Sequence, residues 1–347
     1  MPSALITGAS GGIGLELARV FAREGYSLVL VARSRDRLDQ IAAELKPTPV
    51  QVIAKDLTLA GAAEEILREV PQVDVLVNNA GFGVYGPFAR MPLEEDLGML
   101  QLNMTVLVEL TKLYLPGMLA AKSGKILNVA STAAFQPGPL MALYYATKAF
   151  VLSFSEAIAN ELEGTGVTVT ALCPGPTATG FQARTKLEKS RLFKRMKVMD
   201  ARPVAEMGYR ALMSGKALAI PGMMNKVLVQ SVRFSPRSMV TKIARMMQEE
   251  EVKPGRSVGS SRNIVIIPNY SDSCHPTFRF NARLPGFCTA GRQATVRPWP
   301  AWPLWLTKTC TPLPLVTCAA KMPATLCRLP DWSTSYICAW RKCAAWN

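Results

Sequence analysis

The sequence predicts an α/β fold: a doubly wound parallel sheet with helices on both faces, followed by an irregular C-terminal extension. Three observations carry this. Runs rich in Val, Leu and Ile alternate with helix-compatible segments from Ala4 to Ile220, the runs are apolar throughout, and the first is followed at once by a glycine-rich turn. Strands covered on both faces need continuous apolar character, and right-handed crossovers between parallel strands make the alternation doubly wound.

Each element has its own signal. Ala4 to Thr7 reads as a short buried strand, Gly8 to Gly14 as the turn after it, and Leu15 to Arg23 as the helix that the turn opens. Ser27 to Ala32, Val50 to Ala54 and Val73 to Val77 are the next strands, with helices predicted over Arg35 to Leu45 and Ala60 to Val70. A long helix is expected from Leu93 toward Leu119, kinked or interrupted at Pro116 because proline removes a backbone donor. The strand Lys125 to Val129, the helix Tyr144 to Leu162, the strand Val167 to Leu172, the helix Pro203 to Ser214 and the strand Ala217 to Ile220 complete the pattern. From Met223 to Met247, basic residues mix with Leu, Val and Met, and Pro236 divides the stretch into two helices. Such helices can pack on the domain or lie on an anionic membrane surface, and both readings stay open.

A chain of 347 residues can bury one large core or two modest ones, which argues against dominant disorder. Its formal charge of +15 is unevenly placed: residues from Ser260 onward carry ten Lys or Arg against Asp272 and Asp331. The front of the chain has no dense basic stripe interleaved with aromatics, so nucleic acid is not an expected partner. The start is too short and too quickly broken by glycine to read as a secretory signal, and no continuous apolar run could span a bilayer. Cytoplasmic residence is the expectation.

The loop Thr7-Gly8-Ala9-Ser10-Gly11-Gly12-Ile13-Gly14 stands between a strand and a helix, the setting a nucleotide-binding loop requires. Gly8 can make the tight turn, Gly12 can let backbone approach a pyrophosphate, and Gly14 can let the helix pack closely. Ser10 and Ile13 belong to the same cradle, whose free helix-start amides stabilise phosphate. An ordinary tight turn is the alternative. Arg33 follows the second strand, with Arg35 and Arg37 nearby; an acidic residue there would accept from a bare ribose, whereas arginine favours a ribose phosphate. NADP(H) is therefore expected over NAD, unless these arginines are simply solvated.

Taken in order, the glycine loop, Asn78-Asn79-Ala80-Gly81, Asn103, Ser131, Tyr144-x-x-x-Lys148 and Pro174-Gly175 resemble the classical short-chain dehydrogenase/reductase family across nearly all of residues 1 to 250. The resemblance implies a single Rossmann-like oxidoreductase domain, homodimeric or homotetrameric. It implies that Asp56 and Leu57 border the adenine, that Asn79, Ala80 and Gly81 line the cofactor cleft with Tyr144, Lys148, Pro174 and Gly175, and that Thr177 holds the nicotinamide end. The stretch from Pro221 through Met247 further resembles a bacterial branch described as DltE-like.

Tyr144 and Lys148 are four residues apart, so a helix puts them on one face. The phenol can give its proton to a carbonyl oxygen as hydride arrives, while a nearby ammonium favours phenolate in the reverse direction. Tyr145 has the wrong spacing for this. Ser131 falls at the carboxyl edge of the sheet, where such folds bind ligands, and its hydroxyl can orient the substrate oxygen. By resemblance, Asn103 positions Lys148 through water and relays protons. A seryl hydrolase is excluded because Ser131 lacks a G-x-S-x-G setting and the only histidine, His275, lies in the extension.

The expected reaction is reversible hydride transfer between NADP(H) and an alcohol or carbonyl compound. The competing reading is a catalytically silent cofactor-binding regulator or scaffold, able to contact a membrane surface peripherally. Phe82, Val84, Phe135, Leu140, Tyr145 and Phe181 suggest an apolar substrate cleft, or equally core. A substrate loop is expected over Phe181 to Arg195, whose basic residues, Arg184, Lys186, Lys189, Arg191, Lys194 and Arg195, can attract an acidic substrate or face water.

The catalytic domain is thus assigned to residues 1 to 250 and the extension to 251 to 347. All six tryptophans and seven of the eight cysteines lie in this extension, but they form no C-x-x-C pair, so no metal site is expected. Prolines at 298, 300 and 303 oppose a helix through Trp299, Trp302 and Trp305. The extension reads as a poorly packed or disordered segment, or as a frameshifted product, with a genuine accessory segment as the alternative.

Overall fold

In the computed structural model, residues 1–181 and 198–249 are described, all within a compact unit running from Met1 to Ile264. The extension and most of the expected substrate loop, including its six basic residues, lie outside the described residues.

The sheet is parallel throughout and ordered β3-β2-β1-β4-β5-β6-β9. Its strands are β1 (Ser3–Thr7), β2 (Ser27–Ala32), β3 (Val50–Ala54), β4 (Val75–Asn78), β5 (Gly124–Val129), β6 (Val167–Leu172) and β9 (Leu218–Ala219). A small pair, β7 (Thr177–Ala178) with β8 (Met199–Asp200), had no sequence signal. The order reverses between β1 and β4, which opens a crevice at their carboxyl ends.

Alternation along the strands divides the core. Ala4 and Ile6 face α1 (Gly12–Arg23), α2 (Arg35–Glu44) and α7 (Ala201–Met213), while Leu5 faces α3 (Ala62–Glu69) and α5 (Val106–Ala120). Both faces bury Leu and Val side chains completely, which explains the uninterrupted apolar runs.

One expected interruption moves. The segment after β4 forms α4 (Leu93–Leu100), a π-helical turn at Gln101–Thr105, and then α5, which continues through Pro116. Pro116 and Lys112 are both exposed, so the break that proline makes in the backbone ladder lies on the helix's outer side. The wider turn falls instead at Asn103. Helix α6 (Ala142–Glu161) follows β5, and Pro236 separates α8 (Met223–Phe234) from α9 (Arg237–Gln248) as expected.

Candidate active site

The switch point is closed by one side-chain stitch. The Thr7 hydroxyl donates to the Val77 carbonyl at 3.2 Å and accepts from the backbone amides of Asn79 and Ala80 at 3.0 Å each, while Asn79 Nδ2 donates to the Thr7 carbonyl at 2.8 Å. This packing dictates two glycines. Gly8 has φ +66° and a Cβ there would come within 2.9 Å of the Ala80 backbone; at Gly14 it would meet the Gly8 carbonyl at 2.5 Å. Gly14 therefore packs the loop and does not line the cleft.

The resulting cleft measures about 1060 Å³. Gly8, Ser10, Gly12 and Ile13 line one end, beside an α1 start with neither a side-chain cap nor an acidic residue in its first turn. Those first-turn amides and the helix dipole suit an anion. Arg33 stands exposed at the end of β2 and also lines the cleft. Asp56 accepts from the Thr58 amide at 2.9 Å and hydroxyl at 2.7 Å, which hold its carboxyl below the usual range, with Arg33 adding a smaller effect. Leu57, Asn79, Ala80 and Gly81 line the same wall. Lys55, which sequence reasoning passed over, lines it too and pairs with Glu65.

Farther along, β5 ends at Val129 and Ser131 begins a tight turn, accepting from the Ala133 amide at 3.1 Å and donating to the Pro174 carbonyl at 3.4 Å. Helix α6 brings Tyr144 and Lys148 to this edge. Burial raises the Tyr144 phenol well above its ordinary value, and the nearby Ser131 hydroxyl opposes that shift. Lys148 is buried, donates to the Val129 carbonyl at 2.8 Å, and places its ammonium 5.8 Å from the centre of the Tyr144 ring. Burial lowers it to about 8. Asn103 is close but indirect: its side chain clasps both backbone groups of Phe82 at 3.0 and 2.9 Å and reaches Thr147 at 3.1 Å. Gly81 lies between it and Lys148, since a Cβ there would be 3.0 Å from Asn103 Oδ1 and 3.6 Å from Lys148 Nζ. Pro174, Gly175 and Thr177 complete this part, Thr177 donating to the Gly175 carbonyl at 2.9 Å.

The expected apolar residues also converge, with one correction. Phe82, Val84, Phe135, Tyr145 and Phe181 line the cleft, but Leu140 does not. Leu140 sits in a left-handed turn at φ +68°, where its carbonyl is held by the Gly86 amide at 2.8 Å. Sequence reasoning missed the wall contributed by α8 and α9. Gln248 is 1% exposed; its Nε2 donates to the Tyr145 hydroxyl at 2.6 Å, and its carbonyl accepts from Tyr85 at 2.8 Å. Asn225 is buried against Gly175. An amide spaced four residues from Ala244 and eight from Val240 on the apolar face of α9 was the available signal. Among the described residues no cluster of His, Cys, Asp or Glu could hold a metal.

A nucleotide-type crevice at the switch point, joined to a Ser, Tyr and Lys cluster at the same sheet edge, defines an α/β oxidoreductase. The short chain dehydrogenase family model matches residues 2–190, and the chain belongs to that family. The match ends at residue 190, before the 221–247 stretch. An uncharacterized oxidoreductase of Staphylococcus epidermidis is 34% identical over 195 residues, covering 53% of this chain and 84% of the relative. The ketoacyl reductase HetN of Nostoc sp. is also 34% identical over 195 residues, covering 54% and 68%. Among solved structures, a short-chain dehydrogenase from Sphingobium yanoikuyae in complex with NADPH superposes with a TM-score of 0.62 at 30% identity, over 74% of this chain and 98% of that one. No helix among the described residues is long and apolar enough to cross a membrane.

Proposed function

We propose that the chain transfers hydride reversibly between NADP(H) and an alcohol or carbonyl compound, with Tyr144 as acid and base. The observation that carries this is the half-buried Tyr144 phenol, set near Ser131 with the Lys148 ammonium over its ring, where the glycine-lined cleft opens. The chain's own residues fit a dinucleotide phosphate. Gly8, Ser10, Gly12 and Ile13 form the cradle, Arg33 takes the ribose phosphate, Asp56 and Leu57 border the base, and Asn79 to Gly81 with Pro174, Gly175 and Thr177 hold the rest. NADPH supplies the hydride when bound; the Sphingobium yanoikuyae relative is described in complex with it.

Tyr144 is neutral because burial disfavours its phenolate. It gives its proton to the carbonyl oxygen as the carbonyl carbon gains hydride, so the alcohol forms and phenolate remains. Ser131 turns its hydroxyl from the long 3.4 Å bond with Pro174 toward the same oxygen. Lys148 stabilises the phenolate and, with Asn103 across Gly81, returns a proton through water. The reverse sequence oxidises an alcohol.

The test is NADPH oxidation over a panel of aldehydes and ketones. Turnover with at least one class supports the reading. Tight NADPH binding with no turnover on the whole panel replaces it with the silent cofactor-binding alternative.

The same proposal places the catalytic unit in residues 1 to 250, with 251 to 347 as an extension, and sets the protein in the cytoplasm as a homodimer or homotetramer. Leu93 and Leu97 on α4, 71% and 54% exposed, support self-association, which sedimentation velocity tests. Peripheral membrane contact is favoured by the outer face of α8, where Met223 and Phe234 are 75% and 88% exposed beside Lys226 and Arg233. Cosedimentation with anionic vesicles checks it, and protein left in the supernatant removes it.

A further inference from the structure

Beyond Tyr144 the cleft is lined by the α8–α9 hairpin, whose wall carries the polar Asn225, Ser231, Ser235 and Gln248 but no charge. Leu228, Val229 and Val232 from α8 and Val240, Ile243 and Met247 from α9 line it, whereas the hairpin's five cations, Lys226, Arg233, Arg237, Lys242 and Arg245, all lie off the cleft. The facing wall is Phe82, Val84, Phe135, Met141 and Phe181, with the Phe181 ring 5.2 Å from that of Tyr144. Of the charged residues lining the described cleft, Arg33, Lys55 and Asp56 belong to the nucleotide end, which leaves Lys148 and Glu95.

The wall is also pinned. The two Gln248 bonds, to Tyr145 and Tyr85, tie the end of α9 to the residue beside Tyr144. An apolar corridor is thereby held open from the reacting phenol outward. Leu228 and Ile243 line it yet remain 43% and 45% exposed, an apolar surface that a ligand would remove from water.

We propose that the substrate carries an elongated apolar body, which lies between the aromatic wall and the hairpin while its carbonyl or carbinol carbon sits at Tyr144. This rests on the oxidoreductase reading and narrows its substrate class. Each methylene moved from water into such a corridor strengthens transition-state binding about threefold to fourfold. A short carbonyl compound reacts at the same centre but leaves the wall untouched.

The experiment uses the full chain and straight-chain 2-ketones from butanone to decanone, read in two ways: kcat/KM with NADPH, and calorimetric binding with and without NADP+. The expected result is a rise of about threefold per carbon until the corridor is filled, in both readouts. Val232→Asp and Ile243→Asp flatten the series, while Met223→Ser, on the same hairpin but outside the cleft, keeps its slope. A flat wild-type series in binding and turnover overturns the proposal, as does an unchanged slope in both aspartate variants. Length-dependent binding without turnover sustains the corridor and overturns the oxidoreductase reading instead, so the two failures are distinct.

Discussion

Lys148 donates to the Val129 carbonyl at 2.8 Å while its ammonium lies 5.8 Å from the centre of the Tyr144 ring. The helix spacing sets the pair on one face, and the end of β5 fixes the lysine's reach. A buried ammonium held by a neutral carbonyl titrates early, because desolvation disfavours its charge and outweighs the opposing effect of Cys173.

This early titration has a sign. Lys148 is protonated below about 8 and loses its charge as pH rises through that value. Support for the Tyr144 phenolate is lost with it, so kcat/KM for carbonyl reduction should fall above pH 8. In Lys148→Arg, whose guanidinium keeps its proton, that fall should vanish from the profile even if the rate is lower. A profile unchanged by the substitution would show that another group sets it.

Arg33 should decide between the two dinucleotides. A charge-assisted bond to a ribose phosphate is worth about 1.5 to 3 kcal/mol, so Arg33→Asp should weaken NADPH about 10- to 100-fold. Aspartate can accept from a bare ribose, so NADH binding should improve. Titration of both cofactors against both proteins gives the ratio; equal preference in wild type and variant would remove Arg33 from the site.

Stability should depend on a polar chain behind the site. Asn78 Nδ2 donates to Asn128 Oδ1 at 2.9 Å and to Thr111 at 3.1 Å, and Asn128 Nδ2 donates to Ser155 at 2.9 Å, all buried. Asn128→Leu strips a partner from Asn78 and from Ser155. The expected loss is about 2 to 4 kcal/mol in denaturant unfolding, more than a surface substitution costs. A midpoint equal to wild type would mean that neighbours satisfy these groups.

How far the sequence foretold this follows from where its signals are local. The strands were legible because burial on both faces demands unbroken apolar runs, and Tyr144 with Lys148 because one helix sets their spacing. The π-helical turn at Asn103 was not, since the partners of Asn103, Phe82 and Thr147, lie in distant segments. Gln248 escaped for the same reason: its partners, Tyr145 and Tyr85, are 103 and 163 residues away. Leu140, which its apolar character alone left open between cleft lining and core, takes neither place, because its left-handed backbone sets it in a turn.

The central claim is that Tyr144 gives the proton, and Tyr144→Phe tests it while keeping the ring that packs on Phe181. The measurement is kcat for NADPH-dependent reduction of the best ketone, alongside the dissociation constant for NADPH. The account predicts a fall in kcat of about 10²- to 10⁴-fold with cofactor affinity nearly unchanged. Turnover in the variant close to wild type would contradict it.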